Sequence, residues 1–230
     1  QVLCAVADAL RGRLAATDFA FDRGQTRTNL GHLYLRTGRF AQALEELDAA
    51  ALDLLGGPDV EAAEARWPAA DVLFLEQGAV YLSLNLLPEA EAALRRAAAL
   101  FRRTGQRYEL GQALYLTGLL TFRLDDVAAA TAALAEAASI YTELDNRYWL
   151  HRVQLVQAAM RLRLGDTAGA QALARILTAD AAGTAGDVPA GEPGALTWDL
   201  PLRVELQLLL AQLALGQGDL PAAQQAVENG

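Results

Sequence analysis

Five short polar breaks, centred on Gly38, Asn85, Asp125, Gly165 and Gly218, carry one register through this chain. Seven residues before them stand Gly31, Gly78, Gly118, Ala158 and Ala211, and five residues after them stand Ala43, Ala90, Ala130, Ala170 and Ala223. Two residues after the break come Phe40, Leu87, Val127, Thr167 and Leu220; nine after it come Leu47, Leu94, Leu134, Ala174 and Val227. One alanine column proves little in a chain with 49 Ala, but several columns at fixed offsets mark an internal repeat. The breaks are 47, 40, 40 and 53 residues apart, which defines a 40-residue unit with longer insertions after the first and fourth copies.

Composition decides what the unit is made of. With 49 Ala and 43 Leu among 230 residues, against 2 Ile and 11 Val, the chain is rich in helix formers and too poor in β-branched residues for a sheet of any size. Each unit is therefore expected to be a helix, a tight turn and a second, antiparallel helix, whose small residues let the axes approach, as at Gly31 against Ala43. One pair cannot bury its apolar face alone, so the pairs must stack into an all-α solenoid. Between units, Asp18, Gly105 and Asp145 each precede an aromatic by three residues (Phe21, Tyr108, Tyr148), placed to staple the incoming helix onto the previous one.

The spans Asn29 to Leu44 (Asn-Leu-Gly-His-Leu-Tyr-Leu-Arg-Thr-Gly-Arg-Phe-Ala-Gln-Ala-Leu) and Gly78-Ala79-Val80-Tyr81 with Pro88-Glu89-Ala90 resemble the small-residue, aromatic and alanine signature of the tetratricopeptide repeat (TPR) family. The resemblance implies a right-handed α-α superhelix acting in protein binding. It departs from that family's usual 34-residue unit and closing proline. Units of this length, with turns such as Thr104-Gly105-Gln106-Arg107 and Leu144-Asp145-Asn146-Arg147, are similar to arrays in large bacterial signalling proteins, including multidomain transcription regulators and caspase-like peptidases.

The register assigns 1–23 to the second helix of a truncated preceding repeat plus its turn, 24–57 to the first repeat and 58–70 to a longer connection. Repeats at 71–110, 111–150 and 151–179 follow, then a flexible Gly/Pro/Ala linker at 180–199 and a truncated fifth repeat at 200–230. A chain that begins at Gln1 and ends inside a repeat reads as a piece of a longer polypeptide.

All 19 basic residues are Arg, which removes every chemistry that needs a lysine, and the net charge of -9 argues against nucleic acid or an anionic membrane as partner. No stretch has the apolar length of a membrane span. A single thiol, Cys4, suits a reducing compartment, so a cytoplasmic location is expected, and no Cys/His spacing suggests a metal or cofactor. The only histidines are His32 and His151. Neither is accompanied by a nucleophile and an orienting carboxylate at readable spacing, so the chain is not expected to be an enzyme. His32 is placed as a groove-lining polar residue and His151 as a solvated helix-end residue. The Asp125-Asp126 pair is expected to cap the second helix that follows it.

In TPR proteins ligand contacts come mostly from the first helix of each unit. Carried onto this chain, the resemblance places His32, Arg36, Leu75, Leu82, Tyr115, Leu119, Phe122, Arg123, Arg152, Leu155 and Arg163 on the concave groove. The 25 first-helix positions that this register turns inward hold four Arg (Arg36, Arg123, Arg152, Arg163) against one Glu, Glu205, a local inversion of the chain's charge. The groove is thus expected to take a protein or peptide segment with apolar anchors and carboxylates, Arg36, Arg123 and Arg163 pairing the acids. An apolar stripe of Leu35, Leu82, Phe122, Leu162 and Leu215 runs beside the arginines and reads equally as core between units. The lysine-containing carboxylate clamp of chaperone-binding TPRs is not matched at Thr28, His32, Glu76, Gln112 and Leu116. The expected role is a protein-interaction or regulatory module of a larger bacterial signalling protein. The alternatives are an effector-sensing array that controls an attached transcription-regulator or caspase-like peptidase domain, and self-association through exposed apolar faces.

Overall fold

All five breaks adopt left-handed backbone, with φ of +71° at Gly38, +60° at Asn85, +59° at Asp125, +82° at Gly165 and +76° at Gly218. Glycine enters this region without a Cβ penalty and Asn and Asp tolerate it best among the rest, so the column of turn residues is a column of helix stops. Gly56, Gly105 and Asp145 do the same where second helices end. The residue after the stop donates its N–H to the carbonyl five positions back, as in Arg39 to Tyr34 (2.8 Å), Leu86 to Tyr81 (2.8 Å) and Asp219 to Ala214 (2.9 Å). This closure satisfies carbonyls that a helix end leaves open. Asp126, Asn146 and Asp219 then cap the next helix, accepting from the N–H of Ala129, Trp149 and Ala222.

A computed structural model describes residues 2–15, 19–56, 70–184 and 200–229 of the chain. Among these residues there are eleven helices and no strand: α1 Val2–Ala15, α2 Ala20–Arg36, α3 Phe40–Leu55, α4 Ala70–Ser83, α5 Leu87–Thr104, α6 Arg107–Arg123, α7 Val127–Glu143, α8 Arg147–Arg163, α9 Thr167–Thr184, α10 Leu200–Gly216 and α11 Leu220–Glu228. They fall into two compact units, residues 1–125 and 126–230.

In the first unit α2 packs on α3 and α4 on α5, while the first helices α2, α4 and α6 touch in succession. The pairs close where glycine removes a side chain: a Cβ on Gly31 would lie 2.6 Å from Leu47 Cγ, and one on Gly24 2.5 Å from Leu54 Cγ. The Gly31 crossing thus rests on Leu47, with the Ala43 carbonyl oxygen 3.3 Å away. Across the same pair, Arg23 Nε and Arg27 Nε donate to the two oxygens of Asp53 at 2.8 and 2.9 Å, and Arg27 Nη1 reaches Glu46 at 3.0 Å. In the second unit α8 packs on α9, α10 on α11, and α10 on both α8 and α9 around Leu155, Leu177, Leu202, Leu206 and Leu213.

Helix ends and the expected repeat boundaries differ in four places. Helices α2, α6 and α8 start at Ala20, Arg107 and Arg147, each four residues ahead of the boundaries at 24, 111 and 151, because the stops at Gly105 and Asp145 release the chain directly into the next helix. Helix α9 continues through Thr184, five residues into the stretch read as linker, and its Asp180 is held by α8. The rest of that stretch, the connection at 58–69 and the turn at 17–18 lie outside the described residues. Of the staple aromatics, Phe21 and Tyr148 pack on the cores of their units, whereas Tyr108 is 39% exposed.

Candidate functional site

The face that α2, α4 and α6 present in the first unit carries a polar crossing. His32 on α2 and Glu76 on α4 meet with Nδ1 and Oε1 2.9 Å apart; the His32 side chain is 48% exposed and that of Glu76 14%. The hydrogen bond to Glu76 holds the His32 imidazole above its ordinary pKa, with partial burial and the nearby Arg36 guanidinium pulling the other way. Arg36, one turn further along α2, is exposed and makes no ion pair among the described residues. Arg123, in the last turn of α6, donates from Nη1 to the Leu82 carbonyl at 2.7 Å. That oxygen, which also accepts from the Asn85 N–H at 3.3 Å, belongs to the final turn of α4, where a cation is favoured.

Leu75, Leu82 and Tyr115 are buried, and Leu119 and Phe122 are half-buried. In the second unit Leu155 is buried too and packs in the core cluster of that unit. Arg152 lies over the rings of Trp149 (5.5 Å) and Tyr148 (5.9 Å) and donates to the Tyr148 hydroxyl at 3.2 Å. Arg163 is exposed. Between α8 and α10 a cleft of about 210 Å³ opens, lined by Leu155, Val156, Ala159, Glu205, Leu208, Leu209 and Gln212.

His151 corrects the expectation of a solvated helix end. It is 1% exposed, and its Nε2 lies 3.1 Å from Asp180 Oδ2, an oxygen that also accepts from Arg147 Nη2 at 3.2 Å. The early start of α8 puts His151 in its second turn, and the late end of α9 brings Asp180 over it. Sequence reasoning also missed Asp71, buried in the first turn of α4 against the Val72 N–H (2.7 Å) and the Gln106 carboxamide, with burial raising its pKa. The one readable signal was its place at a helix start, where Asp is common. Among the described residues no group of three or more His, Cys, Asp or Glu is arranged to hold a metal, and no helix is long and apolar enough to cross a membrane.

No family model matches the chain, and no curated protein matches it in sequence. Its fold, however, is similar to solved TPR-like proteins. The crystal structure of BtubC (BKLC) from P. vanneervenii superposes with a TM-score of 0.69 at 14% identity, over 99% of this chain and 86% of that one. The nearly identical TPR-like repeats of a Podosopora anserina protein assigned as a kinesin light chain superpose with a TM-score of 0.63 at 16% identity, over 93% of this chain and 95% of that one. The chain is thus an all-helical, TPR-like solenoid of helix pairs.

Proposed function

We propose that this chain is a non-catalytic protein-interaction module that receives acidic, apolar segments of a protein partner on the faces of its first helices. The observation that carries the reading is the basic edge left open on those faces. With Leu75, Leu82 and Tyr115 packed away, what remains for a partner in the first unit is His32, Arg36 and Arg123, beside half-buried Leu119 and Phe122. Positive charge on one face of a chain with net charge -9 selects carboxylates, and arginine pairs them through two parallel hydrogen bonds. In the second unit the exposed cation on a first helix is Arg163, while Arg152 is half-buried against Tyr148 and Trp149.

The test is a synthetic peptide array of Leu/Phe anchors flanked by Asp/Glu or by Lys, probed with the wild-type chain and with Arg36→Glu and Arg163→Glu. Acid-selective binding that the reversals weaken by about tenfold supports the reading; equal binding of acidic and basic peptides overturns it. The wider setting, a larger cytoplasmic signalling or regulatory protein of a bacterium, is supported by the resemblance of the 40-residue units to such arrays and by the single thiol. A sensing role over an attached transcription-regulator or caspase-like domain is favoured by one contact, His32 to Glu76. An incoming carboxylate that captured His32 would break a link between successive first helices and change how α2 and α4 pack.

A further inference from the structure

Two corners of the first unit hold the same tyrosine with opposite charge around it. Tyr34 and Tyr81 each stand four residues before a turn, at Gly38 and Asn85. Tyr34 is buried and served by two arginines. Arg11 on α1 pairs with Asp8 at 2.7 Å and donates to the Tyr34 hydroxyl, while Arg39 lies 4.5 Å from the centre of the Tyr34 ring and donates to Gln42. Twenty residues separate the turns on either side of a second helix, as from Asn85 to Gly105, so Asp8, ten before Asp18, matches Asp48, ten after Gly38. By the same count Arg11 is matched by Ala51, Arg39 by Leu86 and Gln42 by Glu89. Around Tyr81 both arginines are gone and a carboxylate has been added.

What remains at Tyr81 is a set of acceptors. Asp48 on α3 and Glu89 on α5 are exposed and have no ion pair among the described residues; with burial they keep the half-buried Tyr81 hydroxyl above its ordinary pKa. Gln77, one turn before Tyr81 on the same face of α4, is 8% exposed. Its Nε2 comes no nearer to Asp48 than 3.5 Å, and its Oε1 meets no donor among the described residues. Burial holds the Asp48 carboxyl above its ordinary pKa with the Gln77 carboxamide alone opposing, so no guanidinium compensates it. Arg96 of α5 is placed elsewhere, 4.9 Å from the centre of the Phe74 ring and two turns of α4 before Tyr81.

We propose that the corner of Asp48, Gln77, Tyr81 and Glu89 takes the guanidinium of an arginine side chain from a protein partner, in the place that Arg11 fills at the equivalent corner. A guanidinium carries five N–H donors in a fixed fork and no acceptor, which suits two carboxylates, a hydroxyl oxygen and a carboxamide oxygen set around one ring. An apolar side chain leaves those acceptors unmet, and an acidic one is repelled by both carboxylates. The corner is separate from the basic first-helix face, because Glu76 turns to His32 on α2 whereas Gln77 and Tyr81 turn to α3 and α5. It also selects the opposite charge.

The experiment starts from a displayed random dodecapeptide library, depleted on the Ala51→Arg variant and then selected on the wild-type chain. Fluorescence anisotropy follows, with the enriched synthetic peptides and with copies in which citrulline, an uncharged isostere, replaces arginine. Ala51→Arg supplies the guanidinium from the position of Arg11; Asp48→Asn/Glu89→Gln removes the charge and keeps the shape. The enriched peptides are expected to carry arginine. Their affinity should fall about tenfold or more on citrulline replacement and in each of the two variants, and stay unchanged in Arg36→Glu, which alters only the first-helix face. Should Ala51→Arg lose its helical circular dichroism, the library is depleted on Asp48→Asn/Glu89→Gln and that variant decides alone. The proposal is overturned if nothing enriches, if the enriched peptides lack arginine or bind equally well with citrulline, if the altered variants bind them as tightly, or if light scattering shows a dimer that the altered variants abolish.

Discussion

The Cβ that Gly78 lacks would lie 2.6 Å from Leu94 Cδ2 and 2.7 Å from its Cγ, so the leucine of the second helix occupies the space the first helix vacates. Gly31 and Leu47 stand in the same relation. In later units the trade runs the other way: Ala158 is matched by Ala174, and Ala211 by Val227. Helix propensity favours Gly78→Ala by up to about 1 kcal/mol, but overpacking against a buried leucine costs about 1–3 kcal/mol, so the variant is expected to be net destabilised. Leu94→Ala opens a cavity and costs about 2–5 kcal/mol. Together the two should cost less than the sum, by about 1 kcal/mol or more. Urea unfolding of the four proteins measures it, and strict additivity would mean that the two residues do not share the space.

The stops offer a second test. Gly38→Ala and Gly165→Ala place a Cβ on left-handed backbone and are expected to destabilise by about 1–2 kcal/mol each, though nothing lies within 4 Å to clash with it. Asn85→Gly and Asp125→Gly relieve the same strain and should be neutral or stabilising. A loss of stability in the glycine variants, read by thermal melting, would show that those side chains do more than tolerate the turn.

The stops and the glycine gaps were legible because each is written in residue type at a fixed offset: Gly, Asn or Asp where φ turns positive, Gly where a Leu needs room. Contacts between successive first helices were not. His32 and Glu76 are 44 residues apart and Arg123 and Leu82 are 41 apart, so each depends on how one unit is seated on the next, which no local pattern encodes. The spacing held a partial signal, since both separations lie within a few residues of the repeat interval. The apolar stripe illustrates the remaining ambiguity. A leucine every three or four residues serves a groove or a seam equally, and only the stacking of α2, α4 and α6 buries Leu75 and Leu82.

Asp71 predicts a pH signature of its own. Burial holds its carboxyl above the ordinary value of 3.8, with Glu109 adding to the shift and the Val72 and Gln106 hydrogen bonds opposing it. Because the native state binds this proton more tightly than the unfolded one, the group's contribution is most favourable below the unfolded pKa and is lost as pH rises through the folded value. Asp71→Asn removes that loss and keeps an oxygen for the Val72 N–H. The stability of the variant relative to wild type is therefore expected to rise between pH 4 and pH 7, about the range over which a raised carboxyl ionises. Melting curves across that range check it; a difference that is flat with pH would place the Asp71 pKa where an exposed carboxyl titrates.

His32 carries the opposite kind of gain. Its pKa is raised in the folded state because the imidazolium form hydrogen-bonds Glu76, so the pair stabilises fully below the unfolded pKa of about 6.5 and the contribution fades as pH rises through the folded value. His32→Gln should thus lower stability at pH 5.5 and leave it nearly unchanged at pH 9, by well under about 1 kcal/mol, since the ring is half exposed and water screens it. Two neighbours set the midpoint in opposite directions. Glu76→Gln removes the acceptor and should bring the His32 titration down, while Arg36→Gln removes a repelling charge and should move it further up. Proton NMR of the His32 ring reads both shifts directly. A midpoint that ignores Glu76→Gln would mean that α2 and α4 are not joined through this pair in solution, and the sensing role built on it would go with it.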